Sequence, residues 1–118
     1  MRICLINPSR VTPRAWRFPA VFQPLGIAYI AAVLERYYKT SIIDAPAERC
    51  RNLRPTGSKY YLGLSYEDIA QKIRRFSPDI VGITVPSTQV ASVALEVANI
   101  VKSIDKDIIT ILGGPIQQ

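Results

Sequence analysis

A chain of 118 residues with 15 Lys+Arg against 9 Asp+Glu has a formal charge of +6 and the length of one domain with a real core. It has no histidine and two cysteines, which excludes Ser-His-Asp and Cys-His nucleophile machinery, imidazole metal ligation, and a four-cysteine zinc or iron–sulfur site built by this chain alone. These counts argue against catalysis by the chain unaided, while 48% hydrophobic and 20% charged residues fit an ordinary soluble globular domain.

Met1-Arg2 runs straight into Ile3-Cys4-Leu5-Ile6 with no signal-peptide pattern. Arg2 to Ile6 is a near-continuous apolar run, which predicts a strand buried on both faces, ended by Asn7-Pro8. Residues 7–23 lack periodicity and hold Pro8, Pro13 and Pro19, so a long loop is expected. Pro24 suits the first turn of a helix whose inward residues are Ile27, Ile30, Ala31, Leu34 and Tyr38. The apolar stretch from Leu25 to Leu34 is too short to span a bilayer, so no membrane contact is expected. Thr40 to Asp44 is a second strand, closed by Ala45-Pro46, and a second long loop is expected over about 45–64.

Ser65-Tyr66-Glu67-Asp68 resembles a capping box and opens a helix with Ile69, Ile73 and Phe76 inward, stopped by Ser77-Pro78. Asp79 to Val85 is a third strand. Thr88 to Ile104 is a third helix, with Val90, Val93, Ala94, Val97, Ile100 and Val101 inward. Asp107 to Leu112 is a fourth strand, followed by a Gly113-Gly114-Pro115 turn. Cys4 belongs inside the first strand and Cys50 in a polar loop. Two thiols beside an apolar core read as reduced, which makes a cytoplasmic location the expectation.

The order β-α-β-α-β-α-β predicts an α/β fold: a flavodoxin-like, doubly wound parallel sheet with helices on both faces, in three layers. A strand order of 2-1-3-4 puts the switch point between the first and third strands. Such sheets usually have five or more strands, so the open edge of the fourth calls for a partner or a continuation. The chain therefore reads as a fragment, truncated after its fourth strand.

In open α/β sheets, ligands bind beyond the carboxyl ends of the strands. Those ends are Asn7-Pro8-Ser9, Asp44-Ala45, Thr84-Val85-Pro86-Ser87-Thr88 and Gly113-Gly114-Pro115. Asn7, Ser9, Thr84, Ser87 and Thr88 offer neutral hydrogen-bonding groups, suited to amides, hydroxyls or phosphate and not to acid–base work. Gly113-Gly114 is either a tight turn or a place where a flat ligand approaches the backbone. Ser87 or Thr88 either caps the third helix or meets a ligand, and the two roles are compatible.

Positive charge gathers in the two long loops, at Arg10, Arg14 and Arg17 and at Arg49, Arg51, Arg54 and Lys59. It reads either as solvated charge or as a rim that steers an anionic substrate, a phosphate-bearing cofactor or an acidic partner. Trp16, Phe18, Tyr60 and Tyr61 match no RNA-binding motif, so no nucleic acid is expected. Asn7-Pro8-Ser9-Arg10-Val11-Thr12 stands where a dinucleotide fold would carry G-x-G-x-x-G, and no P-loop follows any strand. The paired acids of a phosphoreceiver and the phosphate loop of flavodoxins are also missing.

Ile3-Cys4-Leu5-Ile6-Asn7-Pro8, followed by the run from Pro24-Leu25-Gly26-Ile27 to Leu34-Glu35, resembles the start of the cobalamin-binding domains of class B radical S-adenosylmethionine enzymes. Ile42-Ile43-Asp44-Ala45, Pro78-Asp79-Ile80-Val81-Gly82-Ile83-Thr84 and Ile111-Leu112-Gly113-Gly114-Pro115 fit the same pattern, in the same order, over nearly the whole chain. The resemblance implies a corrin ring held against the carboxyl ends of the strands, with the lower axial nucleotide tail inserted between sheet and helices. The wider B12-binding fold uses a Ser-x-Leu element after its third strand and Gly-Gly after its fourth, and Thr84-Val85-Pro86 and Gly113-Gly114 occupy those places. The cofactor-binding set it implies is Asn7, Pro8, Ser9, Thr84, Val85, Pro86, Ser87, Thr88, Gly113, Gly114 and Pro115.

Two departures qualify the match. B12 folds that ligate cobalt from below carry a histidine after the first strand; this chain has none, which excludes that mode, and many radical enzymes of the family also lack it. The family often continues Gly-Gly-Pro with His-Ala-Thr, where this chain has Ile116-Gln117-Gln118. A Cys-x-x-x-Cys-x-x-Cys motif is absent, so a [4Fe-4S] cluster and S-adenosylmethionine are expected only in a downstream domain. The resemblance implies the N-terminal cobalamin-binding domain of a radical S-adenosylmethionine methyltransferase or cyclase-type oxidoreductase, partnered by cobalamin and that downstream domain. The alternatives are a cofactor-free docking or substrate-gating module of such a protein, and a stand-alone flavin or nucleotide binder.

Overall fold

A computed structural model describes residues 1–13, 25–48, 53–56, 59–85 and 90–113. In chain order the elements are β1 (Arg2–Asn7), β2 (Arg10–Pro13), α1 (Leu25–Leu34), β3 (Lys39–Asp44), α2 (Ala45–Glu48), β4 (Leu53–Thr56), β5 (Lys59–Leu62), α3 (Tyr66–Phe76), β6 (Ile80–Thr84), α4 (Ala91–Ile104) and β7 (Ile109–Gly113). The strands β3-β1-β6-β7 form one parallel sheet in that order. This is the 2-1-3-4 arrangement of the four sequence-predicted strands, with the switch point between β1 and β6.

The two faces of the sheet are served by alternate residues. Cys4, Ile6, Ile43, Val81 and Ile83 meet Ile69 and Ile73 of α3 and Val93, Ala94, Val97 and Val101 of α4 in the larger core. Ile3 and Leu5 point the other way, onto Ile27 and Ala31 of α1. One face is thus covered by two helices and the other by one, which gives a flavodoxin-like three-layer α/β/α fold. The inward set of α1 is narrower than the sequence implies. Ile30 is 51% exposed, and Tyr38 lies beyond the helix, 41% exposed, because no second helix flanks α1 among the described residues. Ile100 of α4 is only half-buried.

The capping box at Ser65 is present. Its extended backbone starts α3, and its Oγ accepts a hydrogen bond from the Asp68 N–H at 3.1 Å. Glu67 and Asp68 in the first turn and Arg74 and Arg75 in the last complement the helix dipole. Ser77 ends the helix in the left-handed region, donating its N–H to the Ile73 carbonyl. The start of α4 differs from expectation. The helix opens at Ala91 with Val90 in the cap position and no side-chain cap bond, and Ser87 and Thr88 lie outside the described residues.

The two long loops are the larger correction. They contain the four-residue α2 and a second, antiparallel sheet in the order β2-β5-β4. Its pairings, such as Arg10 with Leu62 and Leu62 with Leu53, join segments far apart in sequence, so no local periodicity announces them. Pro13 and Pro55 sit on its two outer strands, where a missing N–H is tolerated. The joint to the main body is tight. Gly63 has φ +124°, and a Cβ there would lie 2.9 Å from the Ala45 carbonyl oxygen and 2.7 Å from Ser9 Oγ. The neighbouring Leu64 donates its N–H to Ala45 O, and its carbonyl accepts from both Ser9 Oγ and the Tyr61 hydroxyl, each at 2.8 Å.

Candidate cofactor site

With α1 lying against β1 and β3, the β6–β7 half of the same face is left open. The result is a trough of about 500 Å³, in the size range of small-molecule sites. Leu5, Gly82 and Ile111 are register neighbours across three strands and form its floor. Gly26, Ile27 and Ile30 of α1 form a wall, and Thr84 and Gly113, paired across β6 and β7, stand at its carboxyl end.

Glycine shapes this trough from three sides. A Cβ on Gly26 or Gly113 would meet nothing within 4 Å, so a larger residue at either would project into open space. On the floor, a Cβ at Gly82 would stand 3.0 Å from the Leu5 side chain. A glycine inside a strand weakens it, so Gly82 favours clearance over local stability. The chemistry is that of a slot for a flat, apolar group, with the Thr84 hydroxyl and a glycine without a side chain at its mouth.

The strand-end residues expected to bind a ligand divide into three groups. Thr84 and Gly113 line the trough. Asn7, Pro8, Ser9 and Val85 sit at the expected strand ends but are buried. Asn7 donates from Nδ2 to Asp44 Oδ1 at 3.0 Å and accepts from Arg10 Nη2 at 2.9 Å; Ser9 donates to Leu64 O. Val85 faces the opposite core, and its N–H donates to the Gly113 carbonyl at 2.7 Å, fixing the end of β7. These four hold the strand ends in place instead of offering free polar atoms. Pro86, Ser87, Thr88, Gly114 and Pro115 lie outside the described residues, as do Pro24, Arg14, Trp16, Arg17, Phe18, Arg49, Cys50 and Arg51.

The polar groups near the trough form a short chain. Arg10 bonds Asn7 and the Pro8 carbonyl, Asn7 bonds Asp44, the Asp44 N–H donates to Glu48 Oε2, and Glu48 pairs with Lys72 at 2.8 Å. Burial lowers the Arg10 pKa, an effect that Asp44 opposes. Burial pushes the Cys4 thiol up to about 12, with the Glu48 charge adding to the rise, so Cys4 is a neutral packing group. No group of three potential metal ligands occurs among the described residues. None of their helices is long and apolar enough to cross a membrane.

Reading the strand ends alone missed the trough's own lining: Leu5, Gly26, Ile27, Ile30, Gly82 and Ile111. Two signals were available. Gly82 interrupts a strand of β-branched residues, and Gly26 interrupts a helix without a charged residue, both marks of close approach.

Residues 15–118 match the family model described as the B12 binding domain. Cytidylyl-2-hydroxyethylphosphonate methyltransferase of Streptomyces wedmorensis is 35% identical over 117 residues, covering 96% of this chain and 22% of that protein. The uncharacterized methyltransferase PH0819 of Pyrococcus horikoshii is 37% identical over 115 residues, covering 98% of this chain and 22% of its own length. No solved structure matches the chain. With nearly all of its length matched by that model, and an open glycine-cleared trough on the expected α/β scaffold, the chain belongs to the B12-binding domain family.

Proposed function

We propose that this chain binds cobalamin and serves as the cofactor-holding domain of a methyl-transferring protein. The trough between α1 and the β1–β6–β7 face carries this reading: it is apolar, cleared by Gly26, Gly82 and Gly113, and open at the carboxyl end where Thr84 stands. These residues fit a flat nucleotide base between helix and sheet, with Leu5, Ile27 and Ile111 excluding water from it. Thr84 and the Gly113 backbone, with Pro86, Ser87, Thr88, Gly114 and Pro115 beyond them, would meet the corrin. Asn7, Pro8, Ser9 and Val85 would act behind them, as supports for the strand ends.

What cobalamin supplies when bound is a cobalt centre able to carry a methyl group; this chain supplies orientation and a dry slot. With no histidine, it offers cobalt no imidazole from below. The two relatives named as methyltransferases support a methyl-transfer setting, and the residue patterns set out above favour a radical S-adenosylmethionine partner domain. That domain would hold the [4Fe-4S] cluster and S-adenosylmethionine. Hydroxocobalamin mixed with the purified chain and passed through a desalting column is expected to leave about one corrin per chain by visible absorbance. Protein eluting free of corrin at micromolar concentrations would overturn the proposal and leave the cofactor-free docking module in its place.

A further inference from the structure

A second feature lies at the opposite end of the sheet. The amino ends of β1 and β3 bring Arg2, Lys39 and Ser41 to the same face as Ile43, and α3 lays Lys72, Arg75 and Phe76 against them. Together they line an open cleft of about 380 Å³ that contains four cationic side chains and no carboxylate. With about 3.3 Å of rise per strand residue, β1 separates it from the cofactor end by about 20 Å.

The cations are not equivalent. Arg2 is fixed: its Nε donates to the Phe76 carbonyl at 2.6 Å, its guanidinium lies 4.4 Å over the Phe76 ring, and its backbone N–H reaches Asp79. Its terminal nitrogens remain to face the cleft. Lys72 is partly neutralised by Glu48. Lys39 and Arg75 are exposed, with no hydrogen bond or ion pair among the described residues.

The cleft also runs along a free sheet edge. β3 is the outermost strand and pairs only with β1, so its outer N–H and C=O groups have no strand beside them among the described residues. Ile42, 40% exposed, adds an apolar step on that edge. A cationic edge repels basic strands and attracts acidic ones, with neutral strands gaining nothing from the charge. Stacking of nucleic-acid bases is disfavoured, because the cleft's one aromatic ring is already covered by Arg2.

We propose that this cleft docks an extended acidic segment of a protein partner, added as a strand to the β3 edge with its carboxylates against Lys39, Arg75 and Arg2. The main chain of β3 supplies the pairing and the cations select the sequence. The site is independent of cobalamin, so its failure leaves the cofactor reading untouched.

A fluorescein-labelled peptide alternating Glu and Val serves as the probe, read by anisotropy at physiological salt. Lys39→Glu with Arg75→Glu is expected to weaken binding at least about tenfold. Lys102→Glu with Lys106→Glu makes the same change in net charge at exposed positions beside β7, at the other edge of the sheet, and is expected to stay within about twofold. Hydrogen exchange of β3 amides is expected to slow when the peptide binds, with β7 unaffected. Equal losses in the two double variants, unaltered β3 exchange, or full displacement by inorganic phosphate or a single-stranded oligonucleotide would each overturn the proposal.

Discussion

Cys4 illustrates how far a residue's chemistry depends on what covers it. Met1-Arg2-Ile3-Cys4 reads as the start of a buried strand, and the side chain is fully buried, packed between β1 and the α3–α4 face. The same burial, with Glu48 nearby, raises the thiol from 9.0 to about 12. In the unfolded chain the thiol ionises near 9, while the folded chain keeps its proton until about 12. Between those values the unfolded state binds fewer protons, so stability falls as pH rises. Urea unfolding across this range should show a loss of about 1.4 kcal/mol per pH unit from this group. Cys4→Ala should remove that slope whatever its offset in stability. Tyr66, raised by burial and by Tyr61 and Glu96, contributes in the same direction and remains in the variant. A slope identical in both proteins would contradict the assignment.

Other residues were legible only in part. The Ser65 cap could be read because its signal is local: a hydroxyl and an acid three positions apart. Asn7 and Ser9 carry the same kind of local signal for a ligand, as short polar side chains at strand ends. Their partners Asp44, Arg10 and Leu64 come from distant parts of the chain and turn those polar atoms inward.

Among the elements, α1 determines the site. Its ten residues carry no charge; Ile27 and Ala31 pack on the sheet, and Gly26 and Ile30 look into the trough. A Cβ at Gly26 would meet nothing within 4 Å, so a larger side chain there would project into the trough. Gly26→Ala, in the first turn of α1, should hold or slightly raise stability, by less than about 1 kcal/mol. Gly26→Leu should keep the Tm at or above that of the parent while weakening hydroxocobalamin binding at least about tenfold by filling the slot. A Gly26→Leu chain that binds the corrin as tightly as the parent would remove α1 from the site.

The four parallel strands and three long helices could be read in sequence because each carries its own period and its own stops. The antiparallel sheet could not. β2, β4 and β5 are four residues each, two of them hold proline, and their pairing is set by the Gly63–Leu64 joint to Ser9 and Ala45. Arg10 thereby leaves the solvated rim that its loop implied and closes over Asn7.

For the molecule as a whole, the asymmetry of the layers matters most. Two helices cover one face of the sheet and one helix covers the other, so the same topology that builds a full core behind β1 and β6 leaves a trough in front of them. Charge follows a second division. Among the described residues, those lining the trough carry no charge, while the opposite end gathers Arg2, Lys39, Lys72 and Arg75. The absence of histidine leaves this chain no imidazole with which to ligate a metal.

If the trough takes the nucleotide base, the base must contribute to affinity. Equilibrium titration of the chain with cobalamin and with cobinamide, which has the corrin but lacks the nucleotide tail, measures that contribution directly. Cobalamin should bind at least about tenfold more tightly, as expected for burying a flat apolar group of this size. Equal affinities for the two corrins would contradict the assignment of the trough.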